Sequence, residues 1–560
     1  MKRGTEKHQA KGIGFSWLPM LVVSGLAVGF TLLGCLVMVA DVFPGTLVKR
    51  IHNKLSAPPY GFQVPVVESH FFPLALEYQN VDRERPGSGG GFTTVRDQHL
   101  LLLTHDGRVF WIREGMAPEP LAIQAPENGL ADYQALALDP AYASYTFVYE
   151  HYRYNDIESF LFDGSHYLAI SYLKFQPGEN CYTTSIAVTP WPDQGADPSS
   201  VRIRSADWQN WFSSEPCLPL KVENNAIDGH QGGGAIGFRA PRTLILANGD
   251  FHWDGMFGPS VVSQSEGTQY GSVIALDLHT KQASVMSIGH RNPQGLVVAD
   301  DQVWIVEHGA RGGDELNQIQ VGSNYGWPLE SYGTDYDRSK LKDAVSFGRH
   351  ENFSKPVFAW VPSVATSGIT RIRQFHPSWD GDFLVSSLNA RKLFRLRMDQ
   401  GRVVFSEPLA ISNFRIRDVH QHTQGLLALW TDRYNVILMR PDAADFGDGT
   451  ELADRIESLQ LGPSRATRLS LTMKSCLSCH TLKATKPSKL GLTGIVGRRI
   501  GGEEFSNYSK SLRDRSSVWT PELLAEFLHS PGDFAPGTLM PQPKLSSQEI
   551  EDLVALLDSL

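Results

Sequence analysis

Five consecutive residues near the C-terminus, Cys476-Leu477-Ser478-Cys479-His480, put two thiols two residues apart with a histidine directly behind the second. That spacing matches the two vinyl groups of haem, to which thiols add as thioethers, and it carries the histidine beneath the ring as an iron ligand. A zinc site would need a second pair of ligands, and no further cysteine follows. An electron-transferring iron takes a soft, neutral sixth ligand. Met540 fits, because Pro536-Gly537-Thr538-Leu539-Met540-Pro541 is a glycine- and proline-bounded loop able to present a side chain. Met473 is the weaker rival, close to the attachment cysteines and of a type that more often fills a core.

A second group of residues lies upstream. In Arg415-Ile416-Arg417 the alternation of a strand puts both guanidinium groups on one face, a geometry suited to carboxylates, although a solvent-facing charged stripe is the commoner use of such a pattern. Gly289-His290-Arg291-Asn292-Pro293-Gln294-Gly295-Leu296 is a polar cluster followed by an apolar strand. Asp228-Gly229-His230-Gln231-Gly232-Gly233-Gly234 brings a histidine into a glycine-rich loop that lets backbone approach a ligand. By residue type alone a structural hydrogen-bonding role is the favoured reading of either histidine. Cys181 and Cys217 can pair in an oxidising compartment, and their spacing leaves open whether they do.

These residues need elements to hold them. From about 65 to 440 the chain repeats short β-rich runs and polar turns, as in His99 to Leu103, Asp106-Gly107 and Val109 to Ile112. Hairpins over so long a stretch predict a mainly β fold, a ring of blades without exposed edges, for which six blades of roughly 60 residues fit. Residues 441–470 read as a linker, and 471–560 as a small all-α unit with helical runs at Pro521 to His529 and Ser547 to Leu557. At the other end Lys2, Arg3, Lys7 and Lys11 precede an uncharged run from Gly12 to Ala40. Residues 1–45 therefore predict a single transmembrane anchor in a bacterial inner membrane, with everything after Asp41 in the periplasm. A cleaved signal peptide, or lipidation at Cys35, is the alternative. The net charge of -9, without a large basic block, argues against nucleic acid.

Residues 474–560 resemble the class I cytochrome c family in the haem motif and in Gly494-Ile495-Val496-Gly497-Arg498, Phe505-Ser506-Asn507-Tyr508-Ser509 and Trp519-Thr520-Pro521-Glu522-Leu523. The resemblance implies that Cys476 and Cys479 hold haem c, that His480 and Met540 ligate its iron, and that Arg498, Tyr508 and Trp519 bond its propionates. The family's proline after the attachment site is replaced at Leu490.

From about Asp228 to Asp432 the chain resembles the soluble quinoprotein glucose dehydrogenase and sorbosone dehydrogenase family, six-bladed propellers that use pyrroloquinoline quinone (PQQ) and calcium. The likeness is carried by His230-Gln231, Gly289 to Leu296, Glu307-His308-Gly309, Gly313-Asp314-Glu315-Leu316-Asn317, Asn324-Tyr325-Gly326-Trp327-Pro328 and Arg415-Ile416-Arg417-Asp418. It implies His230 as general base, Arg291 as the charge stabiliser on the reduced quinone, Asn292 and Gln294 as cofactor contacts, and Arg415 and Arg417 as the carboxylate clamp. Backbone carbonyls of Gly309 and Ala310 match a calcium site, and Trp360 and Ser363 match pocket walls. Three positions depart from the pattern: Gly229 separates Asp228 from the base, Leu130 stands for a substrate-contacting glutamine, and Asn389 for a cofactor-contacting lysine, with Arg391 the nearest substitute. Together these features predict a membrane-tethered dehydrogenase in which a sugar or related alcohol reduces PQQ, the fused haem takes the electrons, and a respiratory acceptor receives them. The alternatives are a non-catalytic propeller that binds a ligand or partner and uses the haem as relay or sensor, and an enzyme with another quinone or none.

Overall fold

The computed structural model describes residues 66–560 except 83–87, 143–146, 148–151, 193–196, 223–224, 227–229, 257, 423–424, 443–448, 478–479, 483–489, 504, 506–507 and 544. The anchor expected over 1–45, together with Asp228, Gly229 and Cys479, lies outside the described residues. Among the described residues no helix is long and apolar enough to cross a membrane.

Six sheets of four or five strands, antiparallel except for one short parallel pair in the third, form the blades. Their inner strands, labelled here by blade, are β1 (Phe92–Val95), β2 (Tyr154–Phe162), β3 (Gly233–Arg239), β4 (Pro293–Ala299), β5 (Thr366–Arg371) and β6 (Ile416–Gln421). Each packs beside the next, and β6 packs beside β1, so the ring closes. Closure is made by Pro73–Asn80, which pairs antiparallel with Asn435–Pro441 and completes the sixth blade. Because each blade is covered on both faces, its middle strands read as continuous apolar runs instead of alternating ones. Leu427–Thr431, for example, is buried at every position. Between blades five and six Leu74, Trp379, Leu384, Leu427 and Met439 form one cluster, each such side chain contributing on the order of 1.5–3 kcal/mol by leaving water. Gly107 shows why a hairpin turn can demand glycine: its φ is 88° and a Cβ there would meet the Tyr154 ring at 2.6 Å. Cys181 and Cys217 form a disulfide beside the pairing of Cys181–Pro190 with Leu218–Pro219.

The C-terminal unit contains helices α1 (Gly449–Ser458), α2 (Pro463–Leu477), α3 (Pro521–His529) and α4 (Ser547–Ser559). Thr520 caps α3 through Leu523 N–H, and Ser546 with Glu549 forms a reciprocal capping box on α4. The stretch 441–470, read from sequence as a linker, is a correction. Leu452, Ile456 and Leu469 recur at helical spacing and pack into the same core as Leu477, Phe527 and Leu553, so α1 and α2 belong to the helical unit. Residues 63–560 make one compact body.

Candidate active site and haem cleft

The residues expected to act on a ligand meet at one end of the propeller, where the inner strands begin. His308 lies just past the strand Gln302–Glu307, and its Nε2 donates to the Thr366 carbonyl at 2.6 Å, which leaves Nδ1 to accept from Asn292 at 3.3 Å. Burial pulls the His308 pKa down to about 4, so this imidazole is neutral and that assignment holds at ordinary pH. Asn292 Oδ1 accepts from Gln294 at 2.8 Å, and Gln294 Oε1 from Arg417 at 3.4 Å. Arg417 then grips Asp432 through Nε at 2.9 Å and Nη2 at 3.0 Å, and Arg415 reaches the same carboxylate at 2.9 Å. Thus four expected cofactor contacts, Asn292, Gln294, Arg415 and Arg417, stand in a single hydrogen-bonded line.

Charge is unbalanced at the end of that line. Half-buried Arg153, its pKa drawn down to about 10 by burial and then by Arg417, donates to the Ser88 carbonyl at 3.1 Å, while Ser88 Oγ accepts from Arg417 at 3.0 Å. Burial pushes Asp432 up, but Arg417, Arg415 and Arg153 together hold it below the usual carboxylate range. Three guanidinium groups thus share one close carboxylate. Nearby, Asp156 and Asp418 flank a narrow space of 50 Å³ together with Arg153, Gln294 and Arg417. Burial, and for Asp156 also the facing Asp418, raises both acids: Asp418 to about 6 and Asp156 well above its ordinary value. Burial thus favours the neutral form of both acids, Asp156 more than Asp418. The arrangement suits an added anion with more than one charge.

Arg291 is buried beside the His308 backbone. Its backbone N–H donates to Glu307 Oε2 at 2.8 Å, and the other Glu307 oxygen binds His290 Nδ1 at 2.8 Å and Asn317 at 2.9 Å. Burial raises Glu307, yet His290 and the donated bonds win and keep it low. The Arg291 guanidinium donates to the Gly309 carbonyl at 2.9 Å and to Tyr336 Oη at 3.3 Å, while its buried Nε finds no acceptor among the described residues. Exposed His230 stands edge-on to His252, with ring centroids 5.8 Å apart. Gln231, oriented to satisfy its neighbours, accepts from His252 at 2.9 Å and from Arg291 Nη2 at 2.8 Å and donates to Asp250 at 3.0 Å, so it ties the histidine loop to the arginine. Burial pushes the Asp250 pKa to about 8, with Asp254 adding to it.

Four expected residues sit differently from a simple pocket wall or metal seat. Trp360 is buried in the apolar core between blades four and five, because a bulky indole inside a two-sided strand packs against its neighbours. The Ser363 hydroxyl is bonded at 2.8 Å to buried Asp314, which also receives the N–H groups of Val364, Ala365 and Gly309. The Gly309 carbonyl already receives a guanidinium, and a cation placed there would meet the Arg291 charge. The Gly309–Ala310 pair therefore does not fit a calcium ion in this arrangement.

In the helical unit Cys476, His480 and Met540 line one cleft of about 620 Å³ with Arg498, Tyr508 and Trp519, and Ile495, Leu512 and Phe527 supply apolar walls. Met473 points instead into the helical core with 0% exposure, as filler. One thiol-bearing side chain and two side chains able to ligate iron, around an apolar-walled cavity of that size, fit a haem. Arg498 donates to the Gly491 carbonyl at 2.7 Å and pairs with Glu503 at 2.7 Å. Trp519 stacks on Phe534 with 18° between rings, and burial raises the Tyr508 hydroxyl. The cleft opens against the far end of blade five, where Arg371, Ser378 and Arg397 line it. β5 therefore runs from Thr366 at the candidate active site to Arg371 at the haem cleft, ~17 Å at the rise of a strand.

Reading residue types in sequence misses Asp432, Asp250, Arg153, His252 and Tyr336 as site residues. Only Asp250, following the Asn248-Gly249 turn, had a local signal; the others are brought in by the ring. A profile of the Glucose / Sorbosone dehydrogenase family matches residues 88–440, and one for Cytochrome c matches residues 469–560. An uncharacterised Synechocystis protein is 38% identical over 28% of this chain, and the aldose sugar dehydrogenase YliI of Escherichia coli is 34% identical over 28% of it. The matches span only 38% and 44% of those two proteins. Cytochrome c2 of Agrobacterium tumefaciens is 36% identical over 15% of this chain and 81% of its own length. The soluble aldose sugar dehydrogenase of Escherichia coli in its apo form superposes with a TM-score of 0.51 at 21% identity, covering 66% of this chain and 100% of its own, which shows the shared propeller fold. The chain belongs to the glucose/sorbosone dehydrogenase family through its propeller and carries a cytochrome c domain fused behind it.

Proposed function

We propose that this chain is a PQQ-dependent dehydrogenase that oxidises an aldose sugar or a related alcohol or aldehyde and passes the electrons to its own haem c and then to a respiratory acceptor. The carrying observation is the cluster of guanidinium groups at Arg153, Arg415 and Arg417 around Asp432. When bound, PQQ supplies a quinone that accepts a hydride, and carboxylates that match the arginines. Asn292 and Gln294 orient the ligand's plane through the line that ends on Arg417. Exposed His230 receives the substrate hydroxyl proton on a ring nitrogen, a task suited to an imidazole. Arg291, fixed by Glu307 and Gly309, presents positive charge where negative charge develops.

The disulfide between Cys181 and Cys217 supports an oxidising compartment, and the charged and apolar pattern of residues 1–45 supports a membrane tether with both domains in the periplasm. Fusion keeps the acceptor at high effective concentration. The test is to add PQQ to the haem-loaded chain and follow haem reduction with a panel of aldoses, alcohols and aldehydes. Reduction with at least one donor, dependent on PQQ, is expected. No reduction by any donor would favour a propeller that binds a ligand without oxidising it.

A further inference from the structure

His308 joins two blades. Its backbone N–H donates to the Asn292 carbonyl at 3.1 Å, across the hairpin of blade four. Its ring reaches the carbonyl of Thr366, the first residue of β5, at 2.6 Å, and the Thr366 hydroxyl is held in turn on the Glu307 carbonyl at 3.2 Å.

The line of side chains that starts there has fixed ends. A main-chain carbonyl can only accept, so His308 Nε2 bears the proton and Nδ1 a lone pair. A guanidinium can only donate, so Gln294 turns its oxygen to Arg417 at 3.4 Å. Between them Asn292 gives an N–H to His308 at 3.3 Å and its oxygen to Gln294 at 2.8 Å. Every bond therefore runs from Arg417 towards Thr366. Turning the Asn292 amide over would set oxygen against the His308 lone pair and N–H against the N–H of Gln294. Each amide spends one of its two N–H groups in the line, and the same setting fixes where the second points. Without an acceptor at His308, Asn292 loses the group that selects its setting, and Gln294 loses it with Asn292.

We propose that His308 is a positioning residue for the cofactor, acting through Asn292 to set which atoms of the Asn292 and Gln294 amides meet it. The role rests on PQQ being the ligand of this site. It needs no contact between the histidine and the ligand.

The test is equilibrium dialysis of PQQ against the full-length, haem-loaded chain with no substrate present. His308→Leu, which removes the acceptor, is expected to weaken PQQ binding about tenfold, the worth of one well-placed hydrogen bond. His308→Asn, whose Oδ1 stands where Nδ1 stood, should hold affinity within about threefold. His308→Gln, whose amide replaces Nε2 but not Nδ1, should lose about as much as the leucine variant. In an Asn292→Leu background His308→Leu should cost less than about twofold more, because the residue it acts through is gone. If the leucine variant does not fold, the asparagine and glutamine variants decide between themselves. Unchanged affinity in the leucine or glutamine variant, a tenfold loss in the asparagine variant, or a full further loss in the Asn292→Leu background overturns the proposal. A wild-type chain that binds no PQQ fails the cofactor reading before any variant is compared.

Discussion

Replacing Asp432 by asparagine removes the one carboxylate close to three guanidinium groups while keeping the shape of the side chain. Arg417 is 9% exposed and Asp432 16%, so this is a buried pair, and removing one partner of such a pair typically costs ~3–5 kcal/mol. Arg415 is 53% exposed and adds little, since exposed pairs are worth ~0–1 kcal/mol. Asparagine keeps one acceptor, which puts the expected loss near ~3 kcal/mol. With an unfolding entropy of ~2.1 cal/mol/K per residue over the propeller, that corresponds to a fall in Tm of ~4 °C. Differential scanning fluorimetry with and without PQQ measures it. Bound PQQ should raise the melting temperature of the variant more than that of the wild type, because its carboxylates restore the missing anion. A variant that melts with the wild type refutes the pairing, and one that melts lower but gains nothing from PQQ refutes the anion site.

Other perturbations separate the remaining roles. Met540→Ala should lower the haem midpoint potential and admit an external ligand such as imidazole, whereas Met473→Ala should leave the spectrum intact and cost ~2–5 kcal/mol of stability as a core truncation. Replacing both Cys181 and Cys217 by serine, which opens a loop of 36 residues, should cost ~3.8 kcal/mol in denaturant unfolding under non-reducing conditions. Glu158 and Asp250 have folded pKa values raised to about 8 by burial, above the ~4 of an unfolded carboxyl. The folded state then holds protons that the unfolded state has released, so stability should decline as pH rises from ~4 to ~8, by up to ~1.4 kcal/mol per pH unit for each group. Asp432, held low, acts with the opposite sign and only below ~pH 4. Glu158→Gln, keeping an acceptor for the Phe238 N–H, should flatten the decline in urea titrations at pH 5 and 7.5; an unaltered slope would show that the glutamate ionises normally.

Local chemistry was legible and long-range pairing was not. The haem motif and the arginine pair could be read because their parts are adjacent in sequence. The β texture pointed to a ring of blades, but blade lengths vary too much for periodicity to count them, as the irregular stretch from Tyr325 to Val357 between two strands of the third and fourth blades shows. Asp432 is 15 residues from Arg417 on another strand's end, and nothing in its neighbourhood marks it as their partner. Arg153 reaches Ser88 across 65 residues. His252 follows a turn and has φ 63°, a backbone state that residue type does not announce. The segment before the haem motif was misread because its few apolar residues, Leu452, Ile456 and Leu469, acquire meaning only once α1 and α2 fold against α4.

The strand that shuts the ring also sets an order of assembly. Pro73–Asn80 is synthesised early but pairs with Asn435–Pro441, more than 350 residues later, as the span from Asn80 to Asn435 shows. Until that late partner emerges, a nascent chain exposes open hydrogen-bonding edges of the kind that recruit chaperones or invite mispairing. Cys476 follows the partner strand, so thioether formation falls after the circle can shut. A chain released before Asn435 would have neither a sealed seam nor an attachment cysteine, which makes fragments of this kind natural prey for proteases.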